Sequence, residues 1–102
     1  MSKYYHVADA SYRQGQNLYC YAELEQMGCA PAWKWGDNDY LDSDVVCLFE
    51  TLAEAEDFIE NFAPDGILLE VSLPEDHMTT RVDEGYPAVY RQIDAQYIRI
   101  KN

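Results

Sequence analysis

The chain of 102 residues has little cysteine, little basic charge and no long apolar segment. Its three cysteines form no C-x-x-C pair, and their odd number argues against a disulfide framework, so we expect reduced, partly buried thiols. No run approaches the roughly 18 consecutive apolar residues of a membrane-spanning helix, and the first ten residues lack the apolar core of a secretory signal. These absences predict a cytoplasmic protein without a membrane segment.

The charge balance is strongly acidic and unevenly distributed. Seven Lys and Arg residues stand against nineteen Asp and Glu residues, which gives a net charge of −12. Residues 37–84 carry fifteen acidic side chains and a single base, Arg81, whereas residues 1–36 are neutral. Such a field repels phosphate, so direct binding to nucleic acid or to an anionic membrane is not expected. Two interpretations stay open: a solvated surface that keeps the protein monodisperse, or a surface that attracts a basic partner protein.

The clearest structural pattern is a strand, a helix and a second strand within residues 45–73. The apolar run VVCLF is followed by Thr51 and Glu54, whose spacing is that of a capping box at a helix start. Helical periodicity places an apolar face inward, made of Leu52, Ala55, Phe58, Ile59 and Phe62. The PDG sequence at 64–66 predicts a turn, and the apolar residues of 67–73 predict a strand buried on both faces.

The N-terminal part predicts a strand, a loop and a helix. Residues 4–8 have the character of a first strand, and residues 9–15 form a polar loop. A helix is expected over about 18–27, with Asn17 as its N-cap and Gly28 as its C-terminal stop. The side chains expected to face inward from this helix are Leu18, Tyr21, Ala22 and Met27.

The C-terminal part predicts short strands at 80–82, 88–93 and 97–100, where side chains alternate in polarity. Together the elements predict a single α+β domain over residues 1–102. Its expected architecture is a small mixed or antiparallel sheet of about five strands with two helices.

Metal binding is not supported by the spacing of the candidate ligands. Four aspartates crowd into residues 37–44, but in an EF-hand register Asp42 occupies the position of the required glycine and Leu48 that of the bidentate glutamate. His6 and His77 have no nearby residues that complete a recognisable ligand set. We therefore expect a solvated acidic loop and no metal.

Trp33 and Trp35 flank Lys34 in an irregular segment, residues 29–44. Two indoles in such a segment either pack back onto the domain or line a cleft for a planar group, and both interpretations stay open. No local motif supports Ser–His–Asp or Cys–His catalysis.

The order of the elements resembles the ADP-ribosyltransferase-like fold of the diphtheria-toxin, poly-ADP-ribose polymerase and RNA 2′-phosphotransferase type. In that group a histidine in the first strand, here His6, is followed by a loop and a short helix. The strings VCLFETLAEAEDF and ILLEVSL are similar to its next strand–helix unit and the strand after it. The string GYPAVYRQIDAQYI is similar to the closing strands of several such families, so the resemblance covers most of the chain.

The resemblance implies NAD as the ligand and a role for two residues. His6 would hydrogen-bond the ribose on the nicotinamide side. Glu84 would hold the ribose 2′-hydroxyl and stabilise the positive charge that develops as nicotinamide leaves. Cys47 or Phe49 stands where the family carries a stacking tyrosine, so it stays open whether the domain turns NAD over or only binds it.

The leading hypothesis is a small ADP-ribosyltransferase-like domain that binds NAD or a related nucleotide. Its catalytic candidates are Glu84 and His6, and its candidates for contact with the cofactor are His6, Trp33, Trp35 and Tyr86. The alternative hypothesis is a non-catalytic acidic interaction protein that occupies a basic surface of a partner, such as a nucleic-acid-binding surface.

Overall fold

The computed structural model describes residues 2–29, 44–75, 80–82 and 86–101. The described part is an α+β fold with two α-helices, as predicted. Neither of these helices is long and apolar enough to cross a membrane. The elements in chain order are β1 (Ser2–Ala8), β2 (Leu18–Tyr19), α1 (Tyr21–Met27), β3 (Val45–Cys47), α2 (Leu52–Phe62), β4 (Ile67–Leu73), β5 (Thr80–Val82), β6 (Tyr86–Tyr90), β7 (Gln92–Ile93), a 3-10 helix (Ala95–Tyr97) and β8 (Ile98–Ile100).

The described strands pair antiparallel in three small sheets, whereas the sequence predicted one sheet of about five strands. The strand orders are β1–β4–β8, β3–β6–β5 and β2–β7. The two three-stranded sheets meet at a bridge between Tyr5 and Phe49. There the Tyr5 N–H donates to the Phe49 carbonyl at 2.9 Å, and the Phe49 N–H donates to the Tyr5 carbonyl at 2.7 Å. Strand β1 therefore connects both larger sheets.

Helix α2 begins with the capping box that the sequence predicts. The Thr51 hydroxyl accepts a hydrogen bond from the Glu54 N–H at 3.2 Å, and the Glu54 carboxylate accepts one from the Thr51 N–H at 3.2 Å. Ala55 and Phe58 form the buried face, and the Phe58 ring lies 5.4 Å from the Phe49 ring between centroids. This face packs α2 against β1 and β4.

The prediction that Phe62 faces the core is wrong. Its side chain is 63% exposed, because α2 ends at this residue. The next residue, Ala63, leaves the helical conformation (φ −139°, ψ 62°) and is wholly buried, so Ala63 takes the core position. The predicted turn follows, and Gly66 is needed there because a Cβ would lie 2.5 Å from the Val7 side chain.

Helix α1 begins three residues later than the periodicity predicts. Leu18 and Tyr19 form β2 and pair with β7, so strand pairing with a distant segment takes precedence over the helical pattern. Cys20 is the N-cap, and its N–H donates to the Arg91 carbonyl at 2.8 Å. Gly28 ends the helix in the left-handed conformation (φ 75°), which confirms its predicted role.

Two further expectations for this helix are wrong. The Asn17 side chain does not cap α1, because its Oδ1 accepts a hydrogen bond from the Ala95 N–H at 2.8 Å. Met27 is 50% exposed rather than inward. Tyr21 and Ala22 are half-buried and pack against the core as predicted.

The strand predicted over 88–93 is interrupted at Arg91, which has a φ of 67°. The Arg91 N–H donates to the Asp44 carbonyl at 2.8 Å, which anchors the corner. Strands β6 and β7, on either side of the corner, therefore join different sheets. The predicted strands at 80–82 and near the C-terminus are present as β5 and β8.

The core forms two clusters, one on each side of β4. Leu69, Val71 and Leu73 are at most 1% exposed and belong to the first cluster, while Leu68 is half-buried and packs on the second. One face of β4 is thus buried at three of its four positions and the other face is partly buried, which is less than predicted. The buried members of the second cluster are Val7, Val45, Cys47, Phe49, Ala55, Phe58, Ala63 and Ala88.

The two phenylalanines of α2 provide a matched test of this packing. We expect Phe58→Ala to lower the free energy of unfolding by about 3–5 kcal/mol, because it removes a buried ring and leaves a cavity. Phe62→Ala should cost about 1 kcal/mol or less, since it loses only a ring contact at the surface. Urea unfolding followed by circular dichroism measures both. Equal losses in the two variants would contradict the assignment of Phe62 to the surface.

Candidate functional site

A cleft of about 640 Å³ lies between the loop that follows β1 and helix α1. Its volume is within the range of about 300–1,000 Å³ that is typical of small-molecule sites. The wall combines apolar surface with hydroxyl, amide and carboxylate groups. The lining residues come from β1, the loop, β2 and α1, and are His6, Ala8, Asp9, Ser11, Tyr12, Gly15, Gln16, Asn17, Leu18, Tyr19, Leu24, Met27 and Cys29.

His6 is the buried histidine of this wall, with only 2% of its surface exposed. It lies in β1, next to the bridge that connects the two larger sheets. Its Nδ1 is 2.7 Å from the carbonyl oxygen of Cys47 in β3. A carbonyl can only accept, so Nδ1 carries the proton, and in the neutral ring Nε2 is then the acceptor nitrogen.

Burial keeps the His6 imidazole neutral. Desolvation lowers the pKa of His6 from 6.5 to about 4, and the hydrogen bond to the Cys47 carbonyl opposes this shift only in part. The ring is therefore uncharged at neutral pH and is held as the Nδ1–H tautomer. A neutral imidazole provides no positive charge for a phosphate.

The loop between β1 and β2 is ordered by its own side chains. The Asp9 carboxylate accepts hydrogen bonds from the Ser11 N–H at 3.0 Å and the Ser11 hydroxyl at 2.6 Å. The Tyr12 hydroxyl, on a buried ring, donates to the Gln16 carbonyl at 2.8 Å. The Arg13 N–H donates to the Gln16 side-chain oxygen, also at 2.8 Å. This wall of the cleft therefore has a defined shape without a ligand.

Side-chain amides also attach this loop to the C-terminal segment. The Gln14 side chain donates to the Ile98 carbonyl at 3.1 Å and accepts from the Ile100 N–H at 3.0 Å, so it pairs with β8 as a neighbouring strand would. Asn17 adds the bond to Ala95 described above. Sequence reasoning missed both residues, because an amide in a polar loop has no periodic pattern that reveals a distant backbone partner.

The described lining of the cleft contains no Lys or Arg. Its one formally charged group is the Asp9 carboxylate, whose pKa is held below its ordinary value by the hydrogen bonds from the Ser11 hydroxyl and N–H. Arg13 is exposed and donates through Nη1 to the Ala10 and Tyr12 carbonyls. The lining that the structure describes is therefore neutral to negative.

The structure describes only part of the predicted site. His6 lines the cleft. Trp33, Trp35 and Glu84 lie outside the described residues, and Tyr86 is described only through its backbone, as the first residue of β6. The roles of these four residues stay predictions.

The cysteines are free thiols, as expected, and two of them are buried. Cys20 and Cys47 lie in the core, whereas Cys29 is exposed beside the cleft, contrary to the expectation that all three are partly buried. Among the residues that the structure describes, no group of three or more His, Cys, Asp and Glu side chains could hold a metal ion. His77 and the aspartates before Asp44 lie outside that part of the chain.

Comparison with known proteins returns no match to a family model, a curated protein or a solved structure.

The pKa of His6 predicts a specific pH dependence of stability. Because the folded-state pKa of about 4 lies below the unfolded value of 6.5, the unfolded chain takes up a proton first as the pH falls. The His6 contribution is complete above pH 6.5 and is lost between pH 6.5 and 4, by up to about 3 kcal/mol.

His6→Asn is the matched variant, because its side-chain amide can still donate to the Cys47 carbonyl but cannot titrate. Urea unfolding is measured from pH 7 to pH 4. The wild type should lose stability more steeply than this variant, because the acidic residues are common to both proteins and only the wild type has the His6 imidazole. Parallel pH profiles would mean that His6 is not buried as a neutral ring.

Proposed function

We propose that this chain is a small ADP-ribosyltransferase-like domain that binds NAD or a related nucleotide in the cleft. The observation that supports it best is the position of His6. This is the histidine for which the resemblance implies contact with the ribose, and it lines a cleft of suitable size. The Nδ1–H of His6 bonds to the Cys47 carbonyl at 2.7 Å, which fixes the orientation of the imidazole in this wall.

The ordered loop supports binding of a polar, ring-containing ligand. Hydroxyl and amide groups of Ser11, Gln16 and Asn17 lie beside the apolar surface of Leu18 and Leu24 in the same wall. A nucleoside presents the same combination of hydroxyl groups and flat apolar rings. Because the loop is held by internal hydrogen bonds, binding incurs little cost of ordering it.

Glu84 is the proposed catalytic carboxylate. In the transfer, the bond between nicotinamide N1 and ribose C1′ breaks, and its electron pair leaves with nicotinamide. An acceptor nucleophile then bonds to C1′ and loses a proton. Glu84 stabilises the positive charge that develops on the ribose, which is where a carboxylate acts most strongly on the transition state. His6 positions the same ribose.

Calorimetric titration with NAD tests this proposal through two variants. Wild-type protein should bind NAD saturably, and His6→Asn should weaken binding about threefold to tenfold, the size expected for one lost hydrogen bond. Glu84→Gln should retain binding but lose the release of nicotinamide, measured by chromatography. Glu56→Gln, an exposed change on α2, is the control and should leave both unchanged.

Absence of saturable binding at millimolar NAD would remove the proposal. Equal affinity of wild type and His6→Asn, with both folded by circular dichroism, would remove His6 from the site. Binding without nicotinamide release in the wild type would leave a nucleotide-binding domain and contradict only the role of Glu84.

The alternative, a non-catalytic protein that occupies a basic surface, is favoured by the solvent face of α2. Residues 44–75 contain no Lys or Arg. Glu56, Asp57 and Glu60 are exposed on the helix surface opposite the buried face of Ala55 and Phe58. This face presents negative charge without a cation on its own helix, and a basic partner would be attracted to it.

A matched pair of helix glutamates tests this alternative. With a short poly-lysine peptide as the probe, Glu56→Gln on α2 should weaken association more than Glu25→Gln on α1, although both remove one exposed charge. Binding should also weaken as salt shortens the Debye length below about 10 Å. A salt-independent complex, or equal effects of the two variants in fluorescence anisotropy, would count against a partner surface on α2.

A further inference from the structure

Three of the seven basic residues of the chain lie on one face of the sheet β1–β4–β8, around Glu70 of the central strand. The register places Arg99 of β8 directly opposite Glu70, and the Lys3 and Lys101 ammonium groups lie 3.5 and 3.8 Å from the Glu70 carboxylate oxygens. The three bases are exposed, whereas only 15% of the Glu70 side chain is exposed. We call this group the basic strip. It consists of Lys3, Glu70, Arg99 and Lys101, and its three positive charges and one negative charge give a net charge of +2.

Helix α2 packs on the same face of this sheet and leaves the basic strip uncovered. Val7 and Leu68 pair across β1 and β4, and both pack in the cluster that contains Phe58 of α2. Because side chains alternate between the two faces of a sheet, Leu68 lies on the face of Glu70. The solvent side of the helix carries three exposed carboxylates, and we call it the acidic helix surface: Glu56, Asp57 and Glu60. The acidic helix surface and the basic strip are therefore neighbours on one side of the molecule.

This arrangement is self-complementary. When two copies face each other across a twofold axis parallel to the strands, the helix of each copy lies over the strip of the other, because the rotation exchanges left and right. Two identical contacts then form, and each brings negative charge to positive charge. Such a contact closes on itself, so the expected assembly is a dimer.

Short-range contacts favour this dimer over the long-range repulsion between two acidic chains. The net charge of −12 opposes association at a distance. At physiological ionic strength the Debye length is about 8 Å, so charges in direct contact act more strongly than distant ones. Phe62, at the end of α2, is 63% exposed and adds an aromatic side chain of the kind that is enriched in interfaces.

We propose that this chain forms a twofold-symmetric dimer in which the acidic helix surface of each copy docks on the basic strip of the other. This inference does not rest on the proposed function, because no residue of either surface belongs to the described lining of the cleft. The basic surface that α2 meets is, in this dimer, supplied by a second copy of the chain.

Sedimentation velocity of the full chain, over a concentration series from micromolar to millimolar, tests this proposal. The wild type should show a reversible equilibrium between monomer and dimer. Glu60→Lys and Arg99→Glu each reverse one charge, the first on the acidic helix surface and the second on the basic strip. Each variant should weaken the dimer about tenfold or more, because symmetry places the change in both contacts.

A mixture of the two variants is the decisive sample. In a mixed dimer the reversed helix surface of one copy meets the reversed strip of the other, and the second contact is that of the wild type. Mixing Glu60→Lys with Arg99→Glu should therefore restore dimers of nearly wild-type affinity. Glu25→Lys makes the same charge change on α1 and should dimerise like the wild type. Circular dichroism confirms folding, and Lys3→Glu replaces Arg99→Glu if a carboxylate opposite Glu70 prevents folding.

Each other outcome overturns the inference in a different way. A wild type that stays monomeric throughout the series excludes the dimer, and a dimer that neither reversal weakens uses another surface. If both variants are weak and their mixture does not dimerise, the reciprocal contact is wrong. Assemblies that grow beyond two copies contradict the twofold arrangement. Failure of NAD to bind leaves this inference intact, so the two proposals fail separately.

Discussion

The hydrogen bond from His6 Nδ1 to the carbonyl of Cys47 is the interaction on which the fold and the cleft both depend. It connects β1 to β3, next to the Tyr5–Phe49 bridge that joins the two larger sheets. Because the ring is buried, a charged imidazole would lose its hydration, so the neutral form persists well below the ordinary pKa of histidine. The same contact therefore aligns two strands and determines which nitrogen of His6 can accept a hydrogen bond.

The second constraint is that the wall of the cleft is held by side chains rather than by a strand. Gln14 pairs with the outer edge of β8, and Asn17 binds the backbone at Ala95. These bonds cover an edge strand that would otherwise expose unpaired N–H and C=O groups, and they fix the loop that carries Asp9. A preordered loop loses little entropy on binding, so modest contacts can produce measurable affinity. The Gln14 amide thus connects the edge strand β8 to the loop that shapes the cleft.

The parts of the fold that depend on neighbouring residues could be predicted from the sequence, and the parts that depend on distant ones could not. The capping box of α2 and the Gly28 stop follow from local chemistry and are confirmed. Leu18 was misplaced because its backbone pairs with Ile93, a partner that no local periodicity indicates. The single predicted sheet is three sheets for the same reason, since the turn at Arg91 directs β6 and β7 to different partners. The place of His6 in the first strand follows from the sequence, and its role in a site stays a prediction. The amides that shape the cleft were missed, because they form bonds across more than seventy residues of sequence.

The acidic character of the chain extends to the described lining of the cleft. Among the described residues that line the cleft, Asp9 is the one carboxylate and His6 is uncharged at neutral pH. The central claim is that His6 is present as the neutral Nδ1–H tautomer, held by the Cys47 carbonyl in the wall of the cleft. Nitrogen-15 NMR of the imidazole across pH 5 to 8, with and without NAD, tests it most directly. We expect a protonated Nδ1 and an unprotonated Nε2 throughout, with the imidazole resonances of His6 shifting when NAD is added; an Nε2–H tautomer, an imidazolium at pH 6, or imidazole resonances that do not change with NAD would contradict it.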